Sequence, residues 1–190
     1  MKIKNSHNEW GSISIAIHWV VAITVFGLFG LGLYMVELDY YDSMYKTAPF
    51  VHKSVGVLLF LLMIFRVCWR LVSAPPQPLS SHKAWEKKLA HWVHIALYGL
   101  LLVLMLSGYL ISTADGRAVS VFGWFDVPSL ISGIDNQEDI AGEVHEILAY
   151  VLLSIVALHA AGALKHHFID NDQTLLRMIG VGKGKATNNK

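Results

Sequence analysis

The residues with the most chemical potential in this sequence are its histidines: ten of them in a 190-residue chain that is 54% hydrophobic and 15% charged. Five, His18, His52, His94, His145 and His159, fall within or at the edges of long charge-poor stretches. An ionisable side chain in such a stretch is costly and needs a partner. Hydrogen bonding between helices, or an interfacial position, would account for any one of them. Their number and spacing favour ligation, since imidazole binds zinc, copper, iron and nickel. His145 and His159 are fourteen residues apart on one expected helix. That places them about 21 Å apart along the axis, on nearly the same face. The residue four positions after each of His18, His52, His145 and His159 is small: Ala22, Gly56, Ala149 and Ala163. His91 and His94 are followed instead by Ile95 and Tyr98. Position i+4 shares the helical face, so the four sites leave room for a bulky planar group. Small residues also favour close helix packing, so this observation is supporting only.

These histidines need elements to position them. Mean hydropathy is +0.48, and the apolar excess over an average soluble domain excludes a water-facing globule, a disordered chain, a coiled coil and a repeat array. Four apolar stretches predict helices near 12–36, 48–72, 89–112 and 141–168, the number and length expected of membrane spans. The expected fold is an all-α, integral membrane four-helix bundle forming a single domain over residues 1–190. Pro49 suits the first turn of the second helix, and Ala74-Pro75-Pro76-Gln77-Pro78 ends it. The segment from Asp115 to Asp139, with Gly116, Gly123, Pro128 and Gly133, reads as a long loop with room for a short surface helix. A cleaved signal peptide is the competing reading of the first stretch. Its apolar run is longer than a signal core and no alanine-type cleavage pattern follows, so a retained helix is expected.

Charge orients the bundle. Lys2, Lys4, Arg66, Arg70, Lys83, Lys87, Lys88, Lys165, Arg177, Lys183, Lys185 and Lys190 fall on the side shared by both termini and the 73–88 connection. Only Lys46, Lys53 and Arg117 fall on the other, which carries ten of the acids. The positive-inside rule puts both termini in the cytoplasm. Because the helices alternate in direction, His52 and His145 share the outer depth, and His18 and His159 the inner depth. Two histidines are too few for a structural zinc site. They do complete a haem iron, for which the porphyrin supplies four nitrogens, and a bis-histidine haem is closed to dioxygen and suited to electron transfer.

The remaining polar residues have two readings each. Arg66, Arg70 and Lys165 are snorkelling cations or partners of haem propionates; for Arg66, the deepest, the propionate reading is preferred. His94 sits near the inner pair. It is read as a hydrogen-bond partner of a propionate or a quinone, or as interfacial, ahead of replacing a ligand. His91, His166 and His167 are expected at the interface and His7 and His82 in solvent. Trp124 and Phe125 are read as interface anchors ahead of a cover over the outer site. The single Cys68 excludes an intrachain disulfide, a cysteine-rich metal site and covalent c-type haem attachment. A net charge of +1 gives no sign of nucleic-acid binding.

Ser14-Ile15-Ala16-Ile17-His18-Trp19, Val51-His52-Lys53-Ser54-Val55-Gly56, Val144-His145, Leu158-His159 and Lys165-His166-His167-Phe168 together resemble the bacterial cytochrome b561 family. The tail Asn171-Asp172-Gln173-Thr174-Leu175-Leu176-Arg177-Met178 is similar to that family's tail, and the resemblance runs over roughly residues 10 to 178. It implies a four-helix protein of the bacterial inner membrane with two haem b groups, an electron path to the quinone pool, ubiquinone as a candidate cofactor, and axial ligands at His18, His52, His145 and His159. The expected function is respiratory electron transport through these haems. Two alternatives are a superoxide:ubiquinone oxidoreductase, with Arg117 and Lys53 attracting the anion amid acids that oppose it, and an anchor subunit taking electrons from a periplasmic redox partner. A metal transporter using the same histidines is a more distant reading. It would need an open path, whereas haem sites give a red protein.

Overall fold

The computed structural model describes residues 2–181. Lys183, Lys185 and Lys190, counted above among the terminal-side cations, lie outside the described residues. Four long helices dominate: α1 (Ser12–Val36), α2 (Thr47–Val72), α3 (Ala84–Thr113) and α4 (Gln137–Phe168). A two-stranded antiparallel hairpin, β1 (Val119–Val121) and β2 (Phe125–Val127), lies between α3 and α4, and a short α5 (Thr174–Met178) follows α4. Each long helix is long and apolar enough to cross a bilayer.

Two helices extend beyond their expected starts. α3 begins at Ala84 rather than 89, because Glu86 accepts the Lys83 backbone N–H at 2.9 Å and so satisfies a donor at the helix start. α4 begins at Gln137 rather than 141. Glu138 and Asp139 occupy its first turn, where the helix dipole favours negative charge, and the Gln137 amide donates to the carbonyls of Leu110 and Ile131 at 3.0 and 3.2 Å. Counting uncharged residues misses such polar turns.

Packing runs α1 on α2, α2 on α3 and α3 on α4. The buried core is thin: Ile17, Val21, Val25, Leu59, Met63, Leu101 and Leu152. Many large apolar side chains, including Ile23, Phe26, Leu102, Leu106 and Ile147, face outward. Lipid tails are as apolar as leucine, so burying such residues gains little in a membrane and close contact decides helix pairing.

The two ends of the bundle differ. At the end carrying both termini, the chain segments are stitched together by polar contacts. Asn5 donates from its backbone N–H to the Ser73 hydroxyl at 3.0 Å and from its amide to the Ser73 carbonyl at 2.9 Å. The Trp19 indole donates to the Met178 carbonyl at 3.0 Å, and Arg177 to that of Gln77 at 3.2 Å. Gly11 is required here, since a Cβ would collide with the Ile3 and Lys4 backbone. The opposite end carries the hairpin, where no surface helix forms. Phe122 and Gly123 have φ of 50° and 72°, the left-handed pair that a type I′ turn needs. Ser54 of α2 is fully buried; its hydroxyl accepts the Phe122 N–H at 3.1 Å and ties the hairpin to α2.

Candidate functional site

The four long helices bring the histidines together at two depths. Toward the hairpin end, His52 of α2 and His145 of α4 have ring centroids 6.2 Å apart with planes at 67°. Toward the terminal end, His18 of α1 and His159 of α4 are 6.3 Å apart at 60°. A metal held from opposite sides by two imidazoles, with bonds of about 2 Å and about 1.1 Å from each nitrogen to its ring centre, needs centroids about 6.2 Å apart. Both pairs have that spacing. His94 lies 5.2 Å from His159, too near to share such an ion with it.

At the hairpin-end pair the surroundings are neutral. The His145 Nδ1–H donates to the Leu104 carbonyl at 2.9 Å, which leaves Nε2 as the lone-pair nitrogen a metal needs. The Ser107 hydroxyl sits 3.1 Å from the same Nδ1 and donates to the Leu104 carbonyl at 2.8 Å. Gly108 makes this approach of α3 to α4 feasible: a Cβ there would come within 3.0 Å of His145 Cε1 and 3.3 Å of Nδ1. Across the pair, His52 Nδ1 is buried without a hydrogen-bond partner among the described residues. Such an orphan is costly, and with a metal on the ring's other nitrogen this atom would carry the proton. The hairpin packs beside this site, with Phe122 edge-on to Phe50 at 5.9 Å. Trp124 remains 72% exposed, as an interface anchor would be.

The terminal-end pair is set among cations. Arg66 donates from Nε to the Tyr98 hydroxyl at 2.8 Å, and its Nη2 is 3.4 Å from His18 Nδ1. The guanidiniums of Arg66 and Arg70 lie 5.4 and 5.8 Å from the Tyr98 ring centre. Among the described residues no carboxylate pairs with either arginine. Two uncompensated guanidiniums in an apolar bundle suit an anionic group such as a propionate. A cleft of about 400 Å³ opens beside them, lined by Arg70, His91, His94, Ile95 and Tyr98 among others.

Other expected site residues are placed differently. Lys165 does not face the histidine pair. Its ammonium is held by Glu86 at 2.7 Å and Asp170 at 2.6 Å, two carboxylates that leave it no free charge to offer a propionate. Arg117 is ion-paired with Asp115 two residues earlier. The bond from Arg117 lowers the Asp115 carboxyl and raises the guanidinium, so their charges largely cancel. Lys53 is exposed. His82 is not in solvent: it is half-buried and 2.9 Å from Asp172. Sequence reasoning also missed Ser107, Gly108 and the Leu104 carbonyl, whose only signal is a Ser-Gly pair within an apolar helix. Tyr98 counted only as bulk four residues after His94, yet it carries the hydrogen bond to Arg66.

A helical membrane bundle with inward-facing histidine pairs is the architecture of a membrane b-type cytochrome. The chain belongs to the prokaryotic cytochrome b561 family, which matches residues 9–181. It is accordingly a multi-pass bacterial membrane protein of electron transfer that binds haem b. It is 49% identical over 180 residues to "Cytochrome b561 homolog 2" of Escherichia coli K12, covering 95% of this chain and 96% of that one. It is 30% identical over 176 residues to "Cytochrome b561 homolog 1" of the same organism, covering 90% and 97%. It is 27% identical over 180 residues to "Probable superoxide oxidase CybB" of Yersinia pestis, covering 94% and 99%.

Proposed function

We propose that this chain is a single four-helix unit holding two haem b groups, and that it carries electrons across the bacterial inner membrane in respiratory transport, exchanging them with the quinone pool. The observation that carries this reading is the equal spacing of two histidine pairs at two depths, 6.2 and 6.3 Å between ring centres. His52 and His145 would hold one group, and His18 and His159 the other. With the basic, terminal end in the cytoplasm, the first pair lies toward the periplasm.

When bound, haem supplies the one-electron redox chemistry. The chain supplies the rest. The Leu104 carbonyl holds a proton on His145 Nδ1 and so fixes the ligating tautomer. Arg66 and Arg70, with which no carboxylate pairs among the described residues, would compensate propionate charge at the terminal end. His94, Tyr98 and Arg70 line a cleft of about 400 Å³ and would offer a quinone ring polar contacts. The thin apolar core keeps water from the space between the pairs.

Transmembrane electron transfer in proteoliposomes tests this directly. An impermeant reductant outside should reduce an acceptor trapped inside, and His145→Ala or His159→Ala alone should abolish it. Undiminished transfer in either variant would contradict the two-site path.

The relative described as a probable superoxide oxidase supports a second reading, in which superoxide gives up its electron at the hairpin end and quinone accepts it. The Asp115 pairing of Arg117 leaves Lys53 as the exposed cation beside His52. Rapid reduction of the oxidised protein by superoxide, slowed in Lys53→Ala, supports this reading; no reduction by superoxide removes it.

A further inference from the structure

At the terminal end, outside both histidine pairs, a second kind of cluster forms. His82 comes from the connection between α2 and α3, His166 from the last turn of α4, and Asp172 from the turn before α5. His82 Nε2 is 2.9 Å from Asp172 Oδ2, and His166 Nδ1 is 3.3 Å from the same oxygen. The two rings lie 4.3 Å apart between centroids. One nitrogen from each histidine and one carboxylate oxygen all fall within 4.8 Å of one another.

We propose that His82, His166 and Asp172 form a binding site for a divalent transition-metal cation of the zinc type, which ties the α2–α3 connection to the C-terminal tail.

Several observations support it. Imidazole and carboxylate are the donors such ions take, and tetrahedral bonds of about 2.0–2.1 Å put ligand atoms about 3.3–3.4 Å apart. The His166–Asp172 distance already has that value, and the His82–Asp172 distance needs to open by only a few tenths of an ångström. The side chains are half-buried or better, at 15%, 15% and 8% exposure for His82, His166 and Asp172. His166 Nδ1 is buried without a well-formed hydrogen bond. Asp170 Oδ2 stands 2.7 Å from it, but that oxygen is already held by Lys165 at 2.6 Å. Asp172 is fixed independently, because its Oδ1 accepts the Thr174 N–H at 2.8 Å. Burial pushes the Asp172 carboxyl up, but hydrogen bonds from Thr174 and His82 outweigh this and hold it below its ordinary range, ready as an anion.

Charge points the same way. Glu86, Asp170 and Asp172 bring three negative charges to this corner, against one positive charge on Lys165 and one on Arg177, which acts on Asp172. With neutral imidazoles the surplus is one negative charge, so the corner favours a cation. In the alternative trio, Glu86, His166 and Asp170, both carboxylates are already bonded to the Lys165 ammonium. The Thr174 hydroxyl, 3.1 Å from His82 Nε2, or a water would complete four-coordination.

The test uses the haem-loaded protein in detergent, stripped with a chelator and dialysed against zinc ions. The expected result is one saturable zinc per chain, a raised thermal midpoint and an unchanged haem spectrum. His82→Gln, His166→Gln and Asp172→Asn should each weaken binding about tenfold or more and remove the thermal shift. Their haem content reports that they still fold. Absence of saturable binding, or equal binding in His82→Gln and Asp172→Asn variants of normal haem content, would overturn the proposal.

Discussion

The two histidine pairs share one spacing and almost nothing else. Around His52 and His145 the contacts are neutral and local: a serine hydroxyl, a backbone carbonyl, a glycine that admits the ring, and a hairpin pinned alongside. Around His18 and His159 stand two arginines, a tyrosine and a third histidine, beside an open cleft. The first environment could orient a ligand; the second could also compensate charge beside a cleft open to a small molecule. The proposed path, which takes electrons in at one end and passes them to a quinone at the other, would use this division. Positive charge favours the reduced form of a redox centre, so the terminal end is expected to hold the higher potential.

The largest effect that would break this contrast comes from filling the space that admits His145. Gly108→Val places branched carbons where even a Cβ is already tight. It should remove the hairpin-end haem and leave the other, halving the haem per chain by pyridine haemochrome assay. Loss of both, or of neither, would mean that the two ends are not independent or that the cradle is not needed. Next is Arg66→Gln, which keeps a donor near Tyr98 but removes the charge. In a potentiometric titration it should lower one of two midpoint potentials and leave the other in place.

A smaller effect is expected from Ser54→Ala. It leaves the Phe122 N–H without its acceptor at a buried position, a loss of about 1–3 kcal/mol. It should expose the hairpin to limited proteolysis while the arginine-lined end stays intact. Ser107→Ala should be milder, about 1 kcal/mol, because the Leu104 carbonyl still holds His145 Nδ1. A slightly faster loss of haem from the hairpin end on dilution into apomyoglobin would register it. Equal loss from both ends would contradict the assignment.

What was legible in the sequence followed from helical geometry. The 1.5 Å rise and the alternation of helix direction pair His52 with His145 and His18 with His159 by depth, and the structure brings those same rings together. What was not legible depends on approach between distant segments. Gly108 matters only because α3 and α4 pack closely at that level. His82 looks like a solvent residue until Asp172, ninety positions later, folds back over it. Lys165 looked like a free cation because Glu86 is far away in sequence, although the two meet at 2.7 Å. The hairpin escaped notice because three-residue strands are too short for an alternating pattern to emerge.

The most direct test is the number of haem b groups per chain in the purified protein, measured together with His145→Ala and His159→Ala. Two are expected in the parent and one in each variant, with the remaining haem differing in potential between the variants. A single haem in the parent, or a variant that keeps both, would contradict the pairing of the four histidines.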